Sequence, residues 1–103
     1  MNNPDINDKL AALKERFNQR LHDTQHTISQ WQESTHIAEL IEITHKLAGT
    51  AGTYGLPDLS KEMKQLELQL LEIKNREINN EQAQKFYHQA IDILHRNTMC
   101  PRP

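Results

Sequence analysis

Between Ile6 and Trp31 the large side chains fall at steps of three or four. Ile6, Leu10, Leu13, Phe17, Leu21, Ile28 and Trp31 make the row, and Thr24 completes it. An α-helix of ~3.6 residues per turn gathers such positions on one face. The row predicts a long first helix over about residues 4–31. Pro4 is tolerated near its start, and Gln32, Glu33 and Ser34 loosen its end.

Three further segments carry the same period. The second covers roughly residues 35–54, with Ser34 or Thr35 as a plausible cap. Gly55 can take the left-handed conformation that ends a helix, and Pro57 suits the first turn of the next. The third, roughly 57–75, has an apolar seam of Leu59, Met63, Leu66, Leu70 and Ile73. Asn79 or Asn80 can cap the fourth, roughly 80–97, which turns Ala83, Phe86, Tyr87, Ala90, Ile93 and Leu94 inward. Short connections imply antiparallel neighbours. The expected fold is therefore all-α, an up-down antiparallel four-helix bundle formed by residues 1–103 as one domain, with a flexible C-terminal tail.

Composition agrees with that economy. Only 36% of residues are hydrophobic, 5% are aromatic, and the mean hydropathy is −0.81. Amphipathic helices sharing one core use few apolar residues well. The net charge of −2 leaves no basic footprint, so nucleic acid is not an expected partner. No run of about 18 apolar residues suggests a membrane span, and the N-terminus does not resemble a signal peptide. Cys100 is the single cysteine, so no intrachain disulfide can form. A cytoplasmic, free-standing monomer is the expectation, the short tails and Met1 contributing to it.

The chain holds three glycines, Gly49, Gly52 and Gly55, all within ten residues after His45. Each glycine inside a helix costs roughly 0.5–1 kcal/mol relative to alanine. At about 100° per residue, Leu40, Ile43, Leu47, Ala51 and Tyr54 form the core side of the second helix. His45 falls on the opposite side, beside Ala38, Ile41, Glu42, Ala48, Gly49 and Gly52. Two glycines thus lie on the histidine's own face and clear the surface next to it. Imidazole is a neutral nucleophile near pH 7, its ordinary pKa being about 6.5. Phosphoryl transfer needs open in-line approach and positioning groups, which an uncrowded histidine on a rigid helix offers. No serine or cysteine stands beside it to form a hydrolytic triad.

The stretch from His45 to Glu67 resembles the signature of histidine-containing phosphotransfer (HPt) domains of bacterial phosphorelays. His45, Leu47, Gly49, Gly55, Leu59, Leu66 and Glu67 carry the resemblance. It implies that His45 Nε2 accepts a phosphoryl group from a receiver-domain aspartate or a kinase and passes it to a receiver aspartate. It also implies a phosphocarrier with no ATP site or cofactor of its own. The Mg²⁺ used in transfer belongs to the receiver, and the partners are a receiver domain, a hybrid sensor kinase, or both. Docking would use Ala38, Ile41, Glu42, Ala48, Gly49 and Gly52, together with exposed parts of the first helix.

One position departs from the family. A lysine commonly stands three residues after the histidine, where this chain has Ala48. Ser60, Lys64 and Glu67 share a strip of the third helix beside its apolar seam, and Lys64, or Lys46 by stretching, is the candidate source of positive charge at the phosphoryl group. Lys46 points about 100° away from His45 around the helix. Glu67 matches a glutamate that in some relatives bonds the histidine's Nδ1, and the alternative is a solvated helix carboxylate. Glu42 is a weaker rival for that bond. Two other functions compete with the relay. His22 and His26 have a zinc-ligand spacing, although no third ligand is evident in the sequence. An HPt-like module could also dock on a receiver or sensor kinase and inhibit it without being phosphorylated.

Overall fold

The rows of apolar residues become four antiparallel helices. In the computed structural model, which describes residues 4–74 and 76–98, the helices are α1 (Pro4–Ser29), α2 (Ile37–Thr50), α3 (Pro57–Ile73) and α4 (Asn80–Asn97). The Ile6 side chain, Asn75, Cys100 and the expected C-terminal tail beyond Thr98 lie outside the described residues or side chains. No strand occurs among the described residues. The core joins Phe17, Leu21 and Ile28 of α1 to Leu40 and Leu47 of α2, the α3 seam, and Tyr87, Ala90 and Leu94 of α4.

Local chemistry sets the boundaries. The expected second helix is divided: 3-10 turns at Ser34–His36 and Ala51–Tyr54 flank α2. Neither Ser34 nor Thr35 caps it: His36 holds the N-cap position of α2 and makes no side-chain cap bond. The Ser34 N–H donates to Asn80 Oδ1 at 3.0 Å, which anchors the α1–α2 connection on the start of α4. Gly55 adopts φ 78°, and the Leu56 N–H returns to the Ala51 carbonyl at 2.9 Å. That left-handed turn ends the second segment, and Pro57 opens α3. Asn79 caps α4 by accepting from the Gln82 N–H, while the Gln82 side chain accepts from the Asn79 N–H.

Helix α1 departs from its expected burial. Phe17, Leu21 and Ile28 are buried, and Trp31 is buried just beyond the helix end, but Leu10 is 51% and Leu13 43% exposed. The other helices stop short of them. Phe17 stacks on Tyr54 at 4.4 Å, so the α2–α3 turn reaches only that level. Thr98, the last described residue after α4, accepts from Gln25. Among the described residues, the first turns of α1 therefore stand clear of the bundle with their apolar stripe unpartnered. Periodicity continues past the point where neighbours end.

Helix α2 shows two smaller differences. Ile43 and Tyr54 are half-buried, whereas Ile37 and Thr44 join the buried side. Thr44 tolerates complete burial because its hydroxyl donates to the Ile41 carbonyl at 2.8 Å.

Candidate functional site

Burial of Leu40, Thr44 and Leu47 fixes how α2 is turned. His45 then lies about 140° around the helix from Leu40, on the shoulder facing α3. Tyr54, which stacks on Phe17, marks the other shoulder, facing α1. On α3, Glu67 sits beside the buried seam of Leu59, Met63, Leu66 and Leu70. The antiparallel pairing of the two helices brings His45 and Glu67 to one level.

His45 Nδ1 and Glu67 Oε2 are 2.7 Å apart, and Lys64 Nζ donates to the other carboxylate oxygen, Oε1, at 3.3 Å. The members of this chain differ sharply in exposure. The Glu67 side chain is 6% exposed, that of His45 74% and that of Lys64 59%. A carboxylate that satisfies both oxygens from two basic side chains can afford its buried position. Glu67 is thus not a solvated helix carboxylate.

Burial raises the Glu67 pKa, but the hydrogen bonds from His45 and Lys64, with their charges, outweigh it and hold the group below its ordinary value. Glu67 is therefore ionised at neutral pH, and an ionised carboxylate only accepts hydrogen bonds. The proton of the short contact must belong to Nδ1. In a neutral imidazole this leaves the lone pair on Nε2, the ring atom away from the carboxylate. The arrangement supplies an oriented nitrogen nucleophile backed by a negative charge.

A comparison with family models decides the affiliation: the model of the Hpt domain matches residues 10–97. The chain belongs to the Hpt domain family. No curated protein and no solved structure matched in the corresponding searches. Hpt domains transfer phosphoryl groups in two-component signalling, as carriers rather than kinases, and interact there with receiver domains and kinases. In this Hpt domain no helix among the described residues is long and apolar enough to cross a membrane.

The remaining sequence candidates of the Hpt domain fall into three groups. Ala38, Glu42, Gly49 and Gly52 are exposed on the His45 side of α2, while Ile41 and Ala48 are half-buried against the core. The Nδ1 bond goes to Glu67 and not to Glu42. Lys46 is exposed on the shoulder toward α1, away from the His45–Glu67 pair. Nothing lies within 4 Å of a Cβ added at Gly49 or Gly52, so no packed neighbour requires glycine at either place. His22 and His26 belong to α1, and among the described residues no group of three or more His, Cys, Asp or Glu side chains could hold a metal ion.

The sequence places Ser60 on the strip of Lys64 and Glu67 but gives it no role. The Ser60 hydroxyl donates to the Ala48 carbonyl at 2.6 Å, joining α3 to α2 one turn from His45. Ser60 shares the strip of α3 that carries Lys64 and Glu67, and that spacing was the available signal.

Proposed function

We propose that this Hpt domain is a phosphorelay intermediate in which His45 Nε2 takes a phosphoryl group from a receiver aspartate or a kinase and gives it to a receiver aspartate. The observation that carries the reading is the buried Glu67 carboxylate on Nδ1 of an exposed histidine. In the forward step a bond forms between Nε2 and phosphorus while the bond from phosphorus to the aspartyl oxygen breaks. The aspartate leaves as a carboxylate. The ring keeps its Nδ1 proton and becomes cationic, and the Glu67 charge compensates it. No proton has to leave the site, and the reverse step restores the neutral ring.

Lys64 contributes positive charge on the approach side of Glu67, with Lys46 as the more distant alternative to the lysine missing at Ala48. Ala38, Ile41, Glu42, Ala48, Gly49 and Gly52 form the contact surface around the ring. The Mg²⁺ of the reaction comes with the receiver, and this chain needs no cofactor. The protein works as a cytoplasmic monomer.

Incubation with phosphorylated receiver domains and Mg²⁺ tests the reading. The expected product carries acid-labile, base-stable phosphate on the wild type and none on His45→Gln. Tight binding without any transfer would instead assign the inhibitory module.

A further inference from the structure

Two of the large exposed apolar side chains of the described residues lie beside the reacting histidine. Leu68 is 52% and Leu71 43% exposed, both on α3. The pairs His45–Glu67 and Ser60–Ala48 set the register between α2 and α3. One turn from Glu67 toward the end of α3 is Leu71, and one turn from His45 toward the start of α2 is Ile41. These two therefore lie across the α2–α3 seam from each other. Leu68 follows Lys64 by one turn on the outer side of the same ridge.

We infer that Leu68 and Leu71, with Ile41, form an apolar ridge that docks the receiver domain exchanging phosphate with His45. The inference rests on the relay reading above. The size of such a contact favours this occupant. A small transient interface hides about 600 Å² on each partner, a disc of about 14 Å radius when centred on Nε2. Leu71 lies about 6 Å along the helix axis from the level of His45, and neighbouring helix axes are about 8–10 Å apart. Both leucines fall inside the disc. Leu10 and Leu13 lie beyond the Phe17–Tyr54 stack, about 20 Å along the bundle from His45, and fall outside it.

The two sides of the ring are unlike. Gly49 and Gly52 leave low ground on one side, and the leucine ridge stands on the other. A receiver whose phosphorylated aspartate reaches Nε2 must meet the ridge with an apolar surface of its own. A partner matching only the glycine strip would leave both leucines in water at its edge.

The experiment measures affinity by calorimetry between the Hpt domain and each purified receiver domain of the source organism, loaded with Mg²⁺ and beryllofluoride. The expected result is that Leu68→Gln and Leu71→Gln together raise the Kd of the binding receiver at least about tenfold. Circular dichroism and melting temperature should stay those of the wild type. Titration of the ¹⁵N-labelled wild type should also move the amide signals of residues 67–72. An unchanged Kd, or still signals in 67–72 while those around His45 move, overturns the inference. So does a wild-type dimer in sedimentation that the leucine substitutions dissolve without altering the receiver Kd. A receiver that binds yet transfers nothing to His45 sinks the relay reading instead, and the ridge is still decided by the Kd.

Discussion

Glu67 is nearly inaccessible, and His45, the residue it holds at 2.7 Å, is three-quarters exposed. The hidden partner fixes the orientation of the open one. A histidine anchored this way presents one nitrogen to a visitor without spending ring rotations at each encounter. Glu67→Ala should therefore slow phosphoryl transfer through His45 by about 10–100-fold, by analogy with the loss when the carboxylate orienting a metal-bound histidine is removed. Stopped transfer assays with a phosphorylated receiver would measure it. A rate within twofold of wild type would show that the carboxylate contributes nothing to transfer.

The same carboxylate makes stability depend on acid. Its folded pKa is lowered from 4.5, so between that value and the lower folded one the unfolded chain binds the proton more readily. Stability from Glu67 is fully present above pH 4.5 and is lost as pH falls through the folded pKa. Urea denaturation across pH 3–7 should show a shallower acid loss for Glu67→Gln than for wild type. Parallel curves would contradict the lowered pKa.

Gly49 and Gly55 should respond oppositely to alanine. Gly49 has an ordinary helical backbone and open space where a Cβ would stand, so Gly49→Ala should stabilise by about 0.5–1 kcal/mol while weakening receiver binding. Gly55 sits at φ 78°, and Gly55→Ala should destabilise by about 1 kcal/mol or more. Thermal melts of the two variants beside wild type check the sign of each, and a destabilised Gly49→Ala would mean that the glycine serves packing after all.

Position along α1 should decide the cost of losing a leucine. Leu21 is fully buried, so Leu21→Ala should cost about 2–5 kcal/mol. Leu13→Gln, on the projecting turns, should change stability by less than about 0.5 kcal/mol. Chemical denaturation gives both values, and a large loss at Leu13 would require a partner segment over the start of α1.

Much of the bundle could be read from spacing. The seam of α3 and the inward positions of α4 follow from their periodicity, and Asn79 announces its cap because its side chain acts within its own turn. Three features escaped for a common reason: each depends on what another segment does. Leu10 and Leu13 continue a valid stripe, yet a stripe does not reveal where its neighbours stop. Ser34 looked like a cap, whereas its N–H is served by Asn80 from 46 positions away in sequence. The burial of Glu67 needed the two basic side chains that converge on it, and only one of them belongs to its own helix. At the site, the His45–Gly49–Gly55 spacing pointed to His45 as the candidate nucleophile, while the hydroxyl bridge from Ser60 carried no signature beyond its place on the strip.

That bridge has a mechanical consequence. The Ser60–Ala48 and His45–Glu67 bonds pin α2 to α3 at two points, about one turn apart on α2 and about two turns apart on α3. A rod pinned twice along its length cannot roll about its own axis unless both pins break together. The heading of Nε2 is therefore a property of the paired helices, and a partner that pushes on the imidazole meets the stiffness of the bundle rather than the softness of a side-chain torsion.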